Sequence, residues 1–152
     1  MKSFFYCFIV TGIFLGLGFT TPNTNISQKA LDAFDKTFEN VKDVKWFVVE
    51  DGYTAAFEQN DVRTVITYDK NGGFLSSRRY YSKDKLPFNI LLQINEKYKG
   101  KTIGIITEVV EPHRLMYSID LEDDENIYVL ESSGSNAPLH LEKKIKKQQP
   151  GK

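Results

Sequence analysis

Cysteine, histidine and net charge are scarce in this sequence, and each scarcity excludes a class of function. The 152 residues include one cysteine, Cys7, and two histidines, His113 and His140. No H-x-x-H or H-E-x-x-H pair occurs, so no histidine-based metal site is expected. Twenty basic and twenty acidic residues give a net charge of zero, which provides no overall attraction for nucleic acid or a membrane surface. We predict no metal, no cofactor and no nucleic-acid partner.

Motifs for covalent catalysis and phosphate binding are also missing. The serine pairs Ser76-Ser77 and Ser132-Ser133 lack the surroundings of a nucleophile elbow, and no glycine-rich phosphate loop occurs. An acidic run in residues 120–125 falls on a predicted hairpin turn, where solvated carboxylates are usual. Contact with a cation or a basic partner, and acid–base catalysis, are the alternatives. The sequence therefore predicts no catalytic residues and a protein that is not an enzyme.

An apolar segment at the start of the chain predicts export. Lys2 precedes "FFYCFIVTGIFLGLGF", a run of about 16 residues, whereas a membrane-spanning helix needs about 20. We predict a signal peptide over residues 1–20, cleaved near residues 18–21, and a periplasmic or secreted protein. A retained amphiphilic anchor is the alternative. Cleavage removes Cys7 and leaves a mature chain without thiols, disulfides or a transmembrane span.

The hydrophobic pattern after a linker at residues 21–26 predicts one helix followed by four strands. Ser27 suits an N-cap, and apolar residues then recur at helical spacing over residues 28–40. The four strand-like runs are "VKWFVV", "YTAAFEQ", "VRTVITY" and "FLSSRRYY". Short turns separate them, at Asp51-Gly52, at Asn60-Asp61 and at "DKNGG". Turns this short join antiparallel neighbours, so the strands form a meander.

The same order of elements then returns. Pro87 suits the first turn of a second helix that Gly100 ends, and four more strand-like runs follow. We therefore predict an α+β fold built from a tandem repeat, with one unit over residues 27–81 and the other over residues 86–145. Each unit has one apolar face, so together they form an eight-stranded antiparallel sheet with both helices on one face. Residues 146–152 form a basic tail.

The segment "YDKNGG" has a second interpretation as a calcium loop. Asp69 and Asn71 match the spacing at the start of an EF-hand loop. Such a loop also needs a carboxylate at its twelfth position, and Tyr80 stands there instead. We therefore interpret the segment as the third hairpin turn of the first unit.

The order of these motifs resembles the secreted bacterial PepSY-like family that includes β-lactamase-inhibitor-like proteins. The features that carry the resemblance are "VKDVKW", "YTAAFE", "VITYDKNGGFL", "LPFNILLQINEKY" and "YSIDLE". The resemblance covers residues 27–145 and implies the same helix-plus-four-strand units. It implies no catalytic residues, and a fold by itself does not fix a function.

Exposed aromatic residues are the best indication of a binding site. Tyr and Arg are enriched where proteins bind one another, and Arg79 and Tyr81 share a face at the end of the fourth strand. We predict that they bind an envelope protein or peptide on the sheet face opposite the helices. The alternative is that the aromatic residues belong to the core. Other residues considered for the same surface are Trp46, Tyr53, Phe57 and Tyr68.

The predicted function is a non-enzymatic binding module of the periplasm or the exterior, with inhibition of another protein as one form of it. A structural or assembly role in the cell envelope is the first alternative. A small envelope enzyme is the second. Each would show a different partner: a soluble ligand, a large envelope complex or a substrate.

Overall fold

A computed structural model describes residues 25–148. It has the predicted α+β architecture of one eight-stranded antiparallel sheet and two helices. The predicted signal peptide and the end of the basic tail lie outside the described residues. The elements in chain order are α1 Gln28–Thr37, β1 Lys45–Val49, β2 Gly52–Gln59, β3 Val62–Asp69, β4 Phe74–Tyr81, a 3-10 helix Lys83–Lys85, α2 Phe88–Lys97, β5 Thr102–Glu111, β6 Arg114–Glu122, β7 Asn126–Ser132 and β8 His140–Lys146.

The sheet is a continuous meander in which every strand pairs with its neighbours in sequence. The strand order is β1 to β8 without a crossover, and all seven pairings are antiparallel. The two halves join where β4 pairs with β5, with Arg79 opposite Glu108 and Tyr81 opposite Ile106. The end of β4 therefore lies in the middle of the sheet, as the sequence predicted.

Both helices cover the same face of the sheet, which we call the helix side. Strand β3 shows the alternation clearly, since Val62, Thr64, Ile66 and Tyr68 are buried while Arg63 is exposed. The strand pairings carry this alternation across all eight strands, and every buried strand side chain falls on the helix side. The opposite face, which we call the open face, has no buried side chain among the described residues.

Helix α1 begins where the sequence predicts and ends three residues earlier. The Ser27 hydroxyl accepts a hydrogen bond from the Ala30 N–H at 3.3 Å, which caps the first turn. The helix ends at Thr37 because Phe38 adopts an extended backbone and Asn40 has a positive φ of 56°. Phe34 anchors the helix, with ring centroids 5.4 Å from both Trp46 and Phe57.

Helix α2 follows Pro87 and packs on the second half of the sheet. Ile90 and Ile94 face the sheet and are at most 2% exposed. Their cluster includes Ile106, Ile119, Leu121 and Leu130. The helix ends at Lys97, and Gly100, which the sequence predicts as its end, follows the Tyr98 C-cap with a φ of 84°. Neither helix is long and apolar enough to cross a membrane within residues 25–148.

The first hairpin turn differs by one residue from the prediction. The turn is formed by Glu50 and Asp51, while Gly52 already pairs with Val49 and Asp69 inside the sheet. A Cβ atom at Gly52 would lie 2.0 Å from the carbonyl oxygen of Tyr68. Glycine is therefore required by the close approach of two strands rather than by turn geometry.

The other two predicted turns of the first half are confirmed. Asn60 and Asp61 have φ values of 52° and 60°, which is the conformation that a two-residue hairpin turn favours. The Asp69 carboxylate accepts hydrogen bonds from the N–H groups of Asn71 at 2.7 Å and Gly73 at 2.9 Å. This carboxylate therefore folds the turn, and no cluster of three or more metal-ligating side chains occurs among the described residues.

Candidate binding surfaces

A polar row crosses the helix side between the apolar clusters beneath the two helices. Thr64, Arg79 and Glu108 are cross-strand neighbours on β3, β4 and β5. The row begins at Phe57 and continues through Tyr117 to Ser132. The adjacent rows are mostly apolar, since one contains Ala55 and Ile66 and the other contains Ile106, Ile119 and Leu130. Ionisable side chains thus stand at the seam between two hydrophobic cores.

Glu108 is the centre of this row. It is 8% exposed, and each of its carboxylate oxygens accepts a hydrogen bond. Arg79 Nη1 donates to Oε1 at 2.9 Å, and the Tyr81 hydroxyl donates to Oε2 at 2.8 Å. The Arg79 guanidinium also lies 5.7 Å from the centre of the Tyr81 ring. A buried carboxylate is stabilised in this way by one cation and one neutral donor.

The environment of Glu108 holds the two nearby tyrosines in their neutral form. Burial, followed by the hydrogen bond to Glu108, raises the pKa of Tyr81 far above its usual value. Burial and the negative charge of Glu108 also raise the pKa of Tyr117, while Arg79 opposes the rise. Neither phenol therefore acts as a base near neutral pH. The cluster has the properties of a fixed hydrogen-bonding site.

A cleft of about 510 Å³ opens above the polar row. Thr64, Ser77, Arg79 and Glu108 provide its polar lining, and Lys85 of the 3-10 helix adds a second cation. The apolar lining consists of Phe38, Phe57, Val62 and Val110. The cleft therefore combines aromatic and aliphatic surface with two positive charges and one negative charge.

The structure corrects the predicted position of Arg79 and Tyr81. The two residues do share a face in the middle of the sheet, but that face is the helix side and not the open face. Tyr81 is 6% exposed and belongs to the core cluster, whereas the Arg79 side chain is 43% exposed at the cleft. Strand alternation shows which residues share a face. It does not show which face the helices cover.

The other aromatic candidates for the open face also lie on the helix side. Trp46 pairs with Ala55, Phe57 pairs with Thr64, and Tyr53 pairs with Tyr68. Phe57 and Tyr68 are buried, and Trp46 and Tyr53 are half-buried in the cluster beneath α1. The reason is the mutual packing of large rings, since Phe34 contacts Trp46 and Phe57 edge to face. These residues are core, which was the alternative interpretation.

The open face presents partly exposed apolar side chains that the sequence analysis did not single out. One cross-strand row contains Val65, Arg78, Val109 and Met116. A second contains Arg63, Tyr80, Thr107 and Ser118. Both rows are half-buried or exposed throughout. The sequence of β3 and β5 indicated this apolar surface, because Val65 and Val109 occupy positions that alternate with residues of the core face.

Charge on the open face differs between the two halves of the sheet. Strands β1–β4 present three cations and two anions, namely Lys45, Arg63, Arg78, Glu58 and Asp69, the last of which is bound within the β3–β4 turn. Strands β5–β8 present two cations and four anions, namely Arg114, Lys143, Glu111, Asp120, Glu122 and Glu131. Burial raises the pKa of Glu131, and the neighbouring Glu142 adds to the rise. The face is thus basic at one end and acidic at the other.

The acidic run and the two histidines lie in turns or near the ends of strands. The Asp123 carboxylate accepts hydrogen bonds from Lys101 Nζ at 2.6 Å and the Tyr128 hydroxyl at 2.8 Å. It also accepts a hydrogen bond from the Asn126 N–H at 2.9 Å, so it fixes the β6–β7 turn. His113 is exposed in the β5–β6 turn. His140 is exposed at the start of β8, opposite Glu131.

Solved structures share this architecture at low sequence identity. A BLIP-like protein from Bacteroides fragilis superposes with a TM-score of 0.62 and 19% identity, covering 89% of this chain and 94% of its own. A DUF2874 family protein from Bacteroides ovatus gives 0.60 and 16%, covering 82% and 89%. A predicted periplasmic protein from Bacteroides eggerthii gives 0.59 and 12%, covering 80% and 89%.

These similarities establish the fold and do not assign a family. No protein-family model and no curated protein matches the chain. The likeness to PepSY-like proteins remains a prediction from the sequence. The chain has the eight-stranded, two-helix fold seen in BLIP-like and DUF2874 proteins of Bacteroides.

Proposed function

We propose that this protein is a non-enzymatic binding module of the bacterial periplasm that recognises a folded envelope protein through its open face. The observation that carries the proposal is an eight-stranded face on which no described side chain is buried. The apolar export segment of residues 4–19 supports the location. A predicted periplasmic protein and a BLIP-like protein among the structures of similar fold agree with it.

The dimensions of the open face suit a protein partner. Eight strands spaced about 4.8 Å apart span about 34 Å, and strands of roughly seven residues are about 23 Å long. The resulting area of roughly 780 Å² matches the roughly 800 Å² that each partner contributes to a typical stable interface. The half-buried side chains of Val65, Val109 and Met116 provide the centre of such an interface, and the charged residues around them provide its rim.

The charge distribution defines the kind of partner. A complementary surface carries acidic groups opposite strands β1–β4 and basic groups opposite strands β5–β8. Such complementarity orients the partner and accelerates its association. The tandem repeat that the sequence predicts fits the same proposal, because two joined units with their apolar faces on one side leave a single wide open face.

Charge reversal on the open face tests the proposal. Arg78 is exposed in the basic half, opposite Val65 and Val109. Proteins captured from envelope extracts by the wild-type mature chain are compared with those captured by Arg78→Glu and by Lys29→Glu. Lys29 is exposed on α1, away from the open face. The true partner is expected to be retained by Lys29→Glu and to bind Arg78→Glu about tenfold more weakly, which is about 1.4 kcal/mol.

Two results would contradict this assignment. Equal capture by both variants would remove the open face as the binding surface. Loss of capture by both variants would indicate a dependence on net charge alone. Cell fractionation tests the location separately, since a chain that stays in the cytosol with residues 1–20 attached is not periplasmic.

A further inference from the structure

We propose that the cleft above the polar row is a second binding site, which takes a small organic carboxylate with an aromatic body. This site lies on the helix side and is independent of the open face. Its lining brings together residues from β3, β4 and β5 with Phe38 and Lys85 from the segments that follow α1 and β4. Four features of the lining identify the ligand chemistry.

The first feature is an arginine that is oriented but incompletely used. Arg79 Nη1 donates to Glu108 Oε1 at 2.9 Å, which holds the guanidinium over the cleft. No other hydrogen bond from this guanidinium to residues 25–148 occurs. A planar guanidinium binds a carboxylate through two parallel N–H donors. The remaining N–H groups of Arg79 therefore present a carboxylate site that Glu108 has already oriented.

The second feature is the balance of charge. Arg79 and Lys85 line the cleft with two positive charges, and Glu108 supplies one negative charge. Lys85 Nζ also lies 4.0 Å from a carboxylate oxygen of the exposed Asp84, which is outside the lining. Both oxygens of Glu108 are already occupied by Arg79 and Tyr81. A ligand with a single negative charge neutralises the excess positive charge of the lining, whereas a cationic ligand adds to it.

The third feature is a pair of hydroxyls at the floor of the cleft. Thr64 and Ser77 are 4% and 9% exposed. Within the described part of the chain, neither hydroxyl has a hydrogen-bond partner. The Tyr68 hydroxyl is the one fully buried side-chain oxygen without a partner among the described residues, so the Thr64 and Ser77 hydroxyls are accessible from the cleft. Donors that face a cleft beside Arg79 are suited to the oxygens of a bound carboxylate.

The fourth feature is the apolar part of the lining, which indicates an aromatic group for the part of the ligand other than its carboxylate. The rings of Phe38 and Phe57 meet edge to face with centroids 4.9 Å apart, and both line the cleft. Val62 and Val110 add aliphatic surface. A third ring packs favourably against such a pair. The volume of about 510 Å³ falls within the roughly 300–1,000 Å³ of small-molecule sites.

Titration with 3-phenylpropionate and with its neutral amide, followed by amide NMR shifts of the mature protein, tests the proposal. The acid is expected to give saturable shifts at Thr64, Ser77 and Val110, and to bind about tenfold more tightly than the amide because charge-assisted hydrogen bonds are the stronger ones. Equal binding of acid and amide would overturn the carboxylate assignment. Absence of saturable shifts in the cleft at millimolar acid would overturn the site.

Two lysines of the 3-10 helix provide a matched pair of variants. Lys85 lines the cleft and Lys83 does not, although both are exposed. Lys85→Gln is expected to weaken acid binding about threefold, with Lys83→Gln unchanged, because only the first removes a charge near the ligand. Arg79→Gln is expected to abolish binding. Unchanged affinity of Lys85→Gln for 3-phenylpropionate would overturn the proposal, and so would unchanged affinity of a folded Arg79→Gln. If Arg79→Gln does not fold, the comparison of Lys85→Gln with Lys83→Gln is the deciding test.

Discussion

The same atom, a phenolic oxygen, is expected to have opposite effects on stability at two buried tyrosines. Tyr68 and Tyr81 are 3% and 6% exposed on neighbouring strands of the helix side. The Tyr81 hydroxyl donates to Glu108 Oε2 at 2.8 Å. The Tyr68 hydroxyl has no hydrogen-bond partner among the described residues, and burial raises the pKa of Tyr68 to about 12.

The expected magnitudes follow from these environments. A hydrogen bond to a charged group contributes about 1.5–3 kcal/mol, so Tyr81→Phe is expected to lower the free energy of unfolding by about 2 kcal/mol. An unsatisfied buried polar group costs about 1–3 kcal/mol, so Tyr68→Phe is expected to raise it by about 1 kcal/mol. With a urea dependence of about 2 kcal/mol per molar, the midpoints move by about 1 M downward and 0.5 M upward.

Urea unfolding of the wild type and of the two variants measures the effect. Each variant removes one oxygen from a buried tyrosine, so each is the control for the other. A Tyr81→Phe midpoint equal to the wild type would refute the stabilising role of the Glu108 cluster. A marked loss of stability in Tyr68→Phe would show that its hydroxyl is satisfied, by water for example, and that the reasoning from burial is wrong.

Three further predictions concern other parts of the fold. Hydrogen bonds from Lys101 and Tyr128 lower the pKa of Asp123. The ionised carboxylate therefore stabilises the folded state above its ordinary pKa of about 3.9, and this stabilisation is lost as pH falls through the lowered pKa. Urea midpoints should therefore favour the wild type over Asp123→Asn at pH 7, and less so at pH 3. Phe34→Ala should lower the free energy of unfolding by about 3–5 kcal/mol in the same assay, because Phe34 is buried. Phe38→Ala should lower it by less, because Phe38 is half-buried. Gly52→Ala should lower the melting temperature, because its Cβ meets backbone; an unchanged melting temperature would contradict this.

Local chemistry in the sequence was sufficient for the elements and their order. Ser27, Pro87 and Gly100 marked helix ends because capping depends on neighbouring residues alone. The Asn60-Asp61 turn and the short connections indicated an antiparallel meander for the same reason. The turn misplaced at Gly52 is a position where a contact distant in sequence decides, since a Cβ there would meet the carbonyl oxygen of Tyr68.

The sequence by itself determined the α+β class, the strand order and the placement of Arg79 and Tyr81 on the same face of one strand, since each follows from short-range spacing. Tertiary structure alone decided that this face is the helix side, because the packing of the two helices settles which face is covered. Tertiary structure alone also placed Arg79 beside Glu108, through the pairing of β4 with β5. These residues are 29 positions apart, and no periodicity relates them. The cleft and the charge division of the open face likewise depend on the register of all eight strands, which only the packed sheet fixes.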